Sequence, residues 1–189
     1  MEAPELYYLA RVRWQVWAGF SFKGATPPVE RIRVSMWFAT MRTVAEELGI
    51  YFPSLLWCLR QEKGETTYRE HFHALIAGFP EQMVNIGTCF FIQKTWAAVG
   101  GGKAPVHLFD RSLAGIDYVC KCLGEVEEAA LAGDIYESNK FGSGSCELML
   151  SDSLKKCLSK ESLVAERRLR RVKRKAARRF ALQVSSSGV

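Results

Sequence analysis

Arg69-Glu70-His71-Phe72-His73-Ala74-Leu75-Ile76 is the stretch of sequence that decides the fold. Its residues alternate as they do in a β-strand, where side chains two residues apart project from the same face. His71 and His73 therefore point to one face of the predicted sheet, and Phe72 and Ala74 point to the other. Such a histidine pair is either structural or able to reach one cation with both rings.

A second apolar strand precedes the histidine strand. Residues 55–62 read Leu-Leu-Trp-Cys-Leu-Arg-Gln-Glu, and the turn-forming residues 63–67 follow them. The two segments predict an antiparallel hairpin that brings Glu62 beside the histidines. Two neutral imidazoles and one carboxylate would leave open coordination positions on Mg²⁺ or Mn²⁺, as metal-assisted catalysis requires. Gln61 and Glu65 are the alternative third ligands if the hairpin has another register.

A helix is predicted further along the chain, over residues 114–124, with Gly124 as its C-terminal cap. Tyr118 and Lys121 are three residues apart in it, a spacing that puts both side chains on one helix face. A lysine ammonium would then lie beside a phenol. Without the histidine pair, Tyr118 would be interpreted as a half-buried aromatic residue and Lys121 as a surface lysine.

Taken in order, these motifs resemble the HUH endonucleases, in particular the single-tyrosine initiators of rolling-circle replication in plasmids, phages and small single-stranded DNA viruses. Residues 17–22 (Trp-Ala-Gly-Phe-Ser-Phe) are similar to the first motif, His71-Phe72-His73 to the second and Tyr118-Val119-Cys120-Lys121 to the third. Residues 62–65 are similar to the segment that supplies the third metal ligand in parvoviral initiators. The resemblance covers roughly residues 10–150.

The resemblance implies a metal-dependent enzyme that nicks and rejoins single-stranded DNA at a replication origin. Tyr118 would be the nucleophile, leaving a 5′-phosphotyrosine, and Lys121 would add positive charge beside it. His71, His73 and Glu62 would hold a divalent metal, Mn²⁺ or Mg²⁺. Because the sequence contains no Walker A spacing, duplex unwinding would fall to a host helicase, with a host polymerase extending the free 3′ end.

Two alternatives remain open from the sequence. Within the same superfamily, single-tyrosine transposases also carry a His-x-His pair, although the Tyr-x-x-Lys signature favours a replication initiator. From a different class, the chain could be a non-catalytic module that binds nucleic acid with an open sheet, as RNA-recognition folds do. That interpretation assigns no functional role to the histidines and Glu62.

The order of the predicted elements is β-α-β-β-α-β, which indicates an α+β fold in which helices pack on an antiparallel sheet, ferredoxin-like or RRM-like. The family resemblance implies the same sheet. The elements around the hairpin are a first strand within residues 8–23, a helix from Thr26 to about Leu48, a helix from Pro80 to the glycines 100–102, and a strand over 104–109. An acidic helix over 125–131, a loop over 139–145 and a possible short strand or turn over 146–150 follow.

Particular side chains of these elements are assigned to the core. The first helix should bury Trp37, Met41, Val44, Ala45 and Leu48, and the second Met83, Ile86, Phe90 and Ala97. Among the aromatic residues of the first strand and its flanks (Trp14, Trp17, Phe20 and Phe22), most should be core, while one or two could stack with bases on the open sheet face. His107 is expected to be structural.

Length and composition favour one soluble domain with an appendage. The chain has 189 residues, of which 48% are hydrophobic, and no run of about 18 uncharged apolar residues. We expect an endonuclease domain over 1–150 and a basic tail over 151–189, in the cytoplasm, or in the nucleus of a eukaryotic host. No membrane partner is expected. The six cysteines lack Cys-x-x-Cys spacing, which favours reduced thiols.

Positive charge is concentrated in the tail. The net charge is +6, but residues 155–179 contain twelve Lys and Arg residues against Glu161 and Glu166, so this segment carries +10 and the remainder −4. Such a segment should attract phosphates in a salt-dependent way, although a solvated tail or an anionic membrane contact would fit the same composition. The core itself is not a general polyanion-binding surface.

Overall fold

The structure is a computed structural model that describes residues 9–24, 26–63, 69–113, 115–116, 119, 140–141 and 146–159. The chain divides into two compact units, Met1–Lys155 and Lys156–Val189. The described part of the first unit is an α+β fold built around one antiparallel sheet. Of the second unit, the described residues are 156–159, which are helical.

In the described part of the chain six strands form the sheet, and every pairing between them is antiparallel. The strand order is β4-β1-β3-β2-β6-β5. The strands are β1 (Val16–Ser21), β2 (Leu56–Lys63), β3 (Glu70–Ala77), β4 (Val106–Leu108), β5 (Lys140–Phe141) and β6 (Cys146–Leu150). The predicted hairpin is thereby confirmed as the β2–β3 pair, and it lies at the centre of the sheet.

The first helix, α1 (Glu30–Glu47), agrees closely with the sequence prediction. Trp37, Met41, Val44 and Ala45 are buried, as their helical spacing predicts. The helix starts after the two prolines of the Thr26-Pro27-Pro28 stretch and ends before Gly49, whose φ of +65° is a left-handed conformation that glycine adopts without a steric penalty.

The second helix, α2 (Ile86–Ala98), begins later and turns a different face to the core than the sequence suggested. Pro80 precedes a short 3₁₀ turn, and the helix is capped by Asn85, whose side chain accepts a hydrogen bond from the Thr88 N–H at 3.1 Å. The predicted core positions were wrong: Ile86 and Phe90 are 65% and 64% exposed. Ala97 is exposed as well. The buried residues are Thr88, Cys89, Ile92, Thr95 and Trp96.

Both helices cover one face of the sheet. The core on that face joins side chains of β1, β2 and β3 to Trp37 and Trp96 of the helices. Trp14, Phe20 and Phe22 are buried, as predicted, whereas Trp17 projects from the opposite face and is half-buried. Cys58, Cys89 and Cys157 are not joined in disulfides.

The C-terminal part of the described chain extends the sheet. The predicted strand over 146–150 is confirmed as β6, which pairs with β2. The predicted loop over 139–145 was partly wrong, because Lys140–Phe141 form β5 on the outer side of β6. The predicted acidic helix over 125–131 lies outside the described residues. None of the described helices is long and apolar enough to cross a lipid bilayer.

Candidate metal centre

Two neighbouring strands, β2 and β3, place the predicted ligands on the sheet face opposite α1 and α2. In the β2–β3 ladder, Glu62 pairs with His71 and Arg60 pairs with His73. On the other side of β3, Ser21 pairs with His71 and Gly19 with His73. Since directly opposed residues of an antiparallel pair project from the same face, the register alone brings Glu62 and both histidines together. The prediction that the hairpin puts Glu62 beside the histidines is confirmed.

The three side chains converge at their tips. Glu62 Oε1 lies 2.9 Å from His71 Nε2 and 3.4 Å from His73 Nε2. The two imidazole rings have centroids 4.7 Å apart and stand nearly perpendicular, at 87°. One ligand atom from each residue lies within 4.8 Å of the others, so the trio could hold a metal ion.

Hydrogen bonding orients the His71 ring toward this point. Its Nδ1 lies 3.1 Å from the backbone carbonyl oxygen of Arg69. Because a carbonyl oxygen can only accept, Nδ1 carries a proton and donates it there. This is the support that metal-binding histidines usually receive on their second nitrogen, and it turns Nε2 toward Glu62. Nε2 lies 2.9 Å from Glu62 Oε1, an arrangement in which one cation could bind both atoms.

The His73 ring stays neutral at physiological pH. Burial lowers its pKa from 6.5 to about 4, and the charges of His71 and Arg60 act in the same direction, against the opposing effect of Glu62. A neutral imidazole is the form that binds a metal. His73 is therefore ready to act as a ligand without first releasing a proton.

Glu62 remains a carboxylate under the same conditions. Burial raises its pKa, but the charge of Arg60 and the neighbouring histidines outweigh that effect and lower the pKa below its usual value. Arg60 is fully buried and forms an ion pair with Glu62 Oε2, while Oε1 faces the histidines. The two oxygens of one carboxylate thus serve different partners.

The donor set and its spacing fit a divalent cation. Adjacent ligand atoms around an octahedral ion such as Mg²⁺, at bond lengths of about 2.1 Å, lie about 3 Å apart. The contacts of 2.9 and 3.4 Å that Glu62 Oε1 makes with the two ring nitrogens are close to this value. Two imidazoles and a carboxylate suit divalent first-row metals and leave coordination positions for substrate or water.

The other predicted site residues have different outcomes. Gln61 pairs with Phe72 and therefore faces the core, where its side-chain oxygen accepts a hydrogen bond from Arg33 Nε at 3.4 Å. It is not a replacement ligand. Glu65, Tyr118 and Lys121 lie outside the described residues. Gly115, Ile116 and Val119 are helical, in the segment where a helix carrying Tyr118 was predicted.

Sequence reasoning missed three features around the trio. Arg60 gave no signal because one arginine on an apolar strand looks like a surface residue. His107, expected to be structural, is exposed and stacks on Trp17, with ring centroids 6.0 Å apart. Arg69 and Lys103 line a hollow of about 380 Å³ that borders His71. The last two features depend on strand pairings that periodicity does not specify.

Comparisons with protein-family models, curated proteins and solved structures found no match for this chain.

Proposed function

We propose that this protein is a metal-dependent nickase and strand-transferase of the HUH type that initiates rolling-circle replication at an origin in single-stranded DNA. The observation that carries the proposal is the convergence of Glu62, His71 and His73, which are far enough apart in sequence that only the β2–β3 register joins them. The non-catalytic alternative gives this ionisable cluster no role.

The strand order supports the finer fold assignment within this proposal. The first four strands and the two helices run β-α-β-β-α-β, and those strands lie in the order β4-β1-β3-β2. A ferredoxin-like fold has its strands in this order, with β1 and β3 central, and the agreement supports that assignment. The histidines then occupy a central strand, where neighbours on both sides hold them in place.

In the proposed reaction, the Tyr118 oxygen attacks the scissile phosphorus and the bond to the 3′ oxygen breaks. The products are a 5′-phosphotyrosyl ester and a free 3′-hydroxyl, which can later attack the ester and rejoin the strand. With a reference pKa of about 10, phenol is ionised at neutral pH only about once in a thousand molecules, a cost of roughly 4 kcal/mol. Lys121 would stabilise either the phenolate, which lowers this cost, or the pentavalent phosphate, which lowers the barrier of the attack itself.

Mn²⁺ or Mg²⁺ at the trio would bind a non-bridging phosphate oxygen and withdraw negative charge as it develops. The residues of the protein would hold and orient this centre. Nε2 of each imidazole and Oε1 of Glu62, which lie close together, would be the donor atoms, and the Arg69 carbonyl oxygen accepts a hydrogen bond that orients the His71 ring. Arg60 holds the second carboxylate oxygen away from the histidines.

The first test is a covalent adduct. The protein is incubated with Mn²⁺ and an end-labelled library of single-stranded oligonucleotides of randomised sequence, and protein–DNA adducts are resolved on a denaturing gel. Wild type should form an adduct, and Tyr118→Phe should form none, because only the nucleophilic oxygen is removed. Tyr51→Phe, which alters an exposed tyrosine, is the matched control. An adduct in the Tyr118 variant would assign the nucleophile to another residue.

The second test addresses the metal independently of DNA. A ligand that binds only the folded state raises thermal stability, so Mn²⁺ should raise the Tm of wild type. His71→Ala and His73→Ala should each abolish that shift, whereas His107→Ala on the same sheet face should retain it. Retention of the Mn²⁺ shift in both ligand variants would move the metal site elsewhere and contradict the central step of the proposal.

A further inference from the structure

A cavity of about 460 Å³ lies directly beside the trio, on the sheet face opposite α1 and α2. His73 is part of its wall, so one residue borders both the cavity and the candidate metal centre. The rest of the lining includes Trp17, His107, Phe109, Leu113 and Asp110. Its volume falls in the range of roughly 300–1,000 Å³ that is usual for small-ligand sites.

Flat rings dominate the wall that the strands supply. Trp17 and His107 are cross-strand partners in the β1–β4 ladder. Their rings are stacked, with an interplanar angle of 22°, and the Trp17 and His73 centroids lie 5.9 Å apart. The Trp17 and His73 rings are tilted by 35°. The three rings come from three adjacent strands and lie next to one another, and we call them the platform. Trp17 is half-buried and His107 is exposed, so part of this platform is open to a ligand.

The charges around the cavity distinguish between possible occupants. Its described lining contains no Lys or Arg, and Asp110 adds a carboxylate whose pKa is lowered by hydrogen bonds from the Ser112 hydroxyl and N–H. A phosphate would be repelled there. The hollow that borders His71 has more positive charge, because its described lining contains Arg69 and Lys103 against one carboxylate, Glu70. Phosphates suit the hollow beside His71, and a neutral flat ring suits the cavity beside His73.

We propose that this cavity binds one unpaired nucleobase of the single strand whose phosphate is held at Glu62, His71 and His73, with Trp17 and His107 of the platform as the stacking residues. The proposal rests on the proposed function, because it takes the strand at the trio to be the substrate. Single-stranded bases stack on Trp and His rings in proteins, and such stacking tolerates any base because every base has a flat face.

The experiment compares two ligands of equal charge and length, dT15 and a 15-mer of abasic deoxyribose phosphates. Affinities are measured by fluorescence anisotropy in Mn²⁺, with Tyr118→Phe as the common background of every protein compared, so that the cation is present and no cleavage occurs. The parent, Tyr118→Phe alone, should bind dT15 more tightly than the abasic oligomer. His107→Ala and Trp17→Leu should each weaken dT15 binding by about 5- to 150-fold, the range for loss of one base–aromatic stack. Their affinity for the abasic oligomer should stay within about twofold of the parent, since the backbone charge is unchanged.

Tyr51→Ala, which removes an exposed aromatic ring outside the cavity lining, is the matched control and should bind both oligomers as the parent does. His107 is exposed, so its truncation keeps the test valid even if Trp17→Leu destabilises the fold. Equal weakening of dT15 and abasic binding, or no weakening by the His107 variant, would overturn the proposal.

This outcome is separable from that of the proposed function. An adduct that depends on Tyr118, together with a failed oligomer comparison, would refute only the base-binding cavity. Selective loss of dT15 affinity in the two variants, without any metal-dependent adduct in wild type, would leave a base-binding cavity and refute the nickase.

Discussion

At the scale of single residues, Glu62 is the side chain on which the site depends. One of its oxygens faces two imidazoles and the other pairs with a buried guanidinium. This division keeps the carboxylate ionised and limits its rotation, which are two requirements for a metal ligand. Because of this arrangement, the stability of the fold should depend on pH and on cation binding. Both dependences can be measured.

Without metal, the protein should lose stability on acidification in two successive windows. His73 has a folded-state pKa of about 4, against 6.5 for the free side chain. Between these values the unfolded chain takes up a proton that the folded protein does not, so stability falls as the pH falls from about 6.5 to 4. The lowered pKa of Glu62 adds stability that is present above 4.5 and lost below it.

Urea unfolding in EDTA across pH 7.5 to 4 measures this dependence. His73→Gln should remove the loss between pH 6.5 and 4.5, because the titrating group is gone. His107→Gln serves as the control, since it removes an exposed histidine from the same sheet face. A His73→Gln curve that still parallels wild type over that window would show that another group is responsible.

Replacing Arg60 should make the fold more dependent on metal. Arg60→Met keeps much of the buried apolar stem but removes the charge paired with Glu62. Removing one partner of a buried ion pair typically costs about 3–5 kcal/mol. A divalent cation can supply the missing positive charge, so the rise in Tm with Mn²⁺ should be larger in Arg60→Met than in wild type.

The double variant Arg60→Met/Glu62→Gln tests whether this rescue acts through the carboxylate. With both charges removed, the protein should regain stability in EDTA relative to Arg60→Met alone, and the enhanced Mn²⁺ effect should disappear. An unchanged Mn²⁺ shift in the single variant would mean that Arg60 and the cation do not act on the same group.

At the scale of elements, the β2–β3 hairpin was predictable and the orientation of α2 was not. The hairpin follows from a period of two, which fixes the face of every side chain once the register is known. In α2, apolar residues occur around most of the helix, so several faces satisfy a helical spacing. The prediction also began the helix at Pro80, whereas the N-cap residue is Asn85. In addition, the buried face includes Thr88 and Thr95, whose hydroxyl groups make them look like exposed positions in the sequence.

The corrected face of α2 can be tested by two alanine substitutions. Ile92 is fully buried and Phe90 is 64% exposed. Ile92→Ala should cost about 2–5 kcal/mol of unfolding free energy through loss of buried methylenes and a residual cavity. Phe90→Ala should change it by no more than about 0.5 kcal/mol. Chemical denaturation distinguishes the two, and a larger cost for Phe90→Ala would restore the face that the sequence suggested.

At the scale of the whole molecule, the ligand trio was recoverable from sequence because its members belong to one hairpin. The surroundings of the trio were not, because they come from separate segments. Trp17, His107 and Lys103 meet the hairpin only through the pairing of β1 with β3 and β4 and through the adjoining loop. Likewise, β5 consists of Lys140–Phe141, too short a segment to show any period.

The uneven charge of the chain predicts that chemistry and DNA affinity can be separated. Residues 167–179 contain nine Lys and Arg residues and follow all three motifs in the sequence. Replacing these nine with Gln keeps the chain length and leaves the trio and Tyr118 intact. Single-turnover cleavage at saturating protein should therefore stay near wild type, while binding weakens. Each phosphate contact that is lost should flatten the slope of log affinity against log salt by about 0.7 on single strands.

The measurement is a salt series for intact and substituted protein on the same oligonucleotide, with affinity and saturated cleavage determined separately. A variant of equal length in which Ser185, Ser186 and Ser187 are changed to Gln controls for substitution outside the basic segment. An unchanged salt slope would show that the nine charges do not contact DNA. A loss of saturated cleavage would show instead that the basic segment contributes to the catalytic step, because saturation removes any effect of affinity.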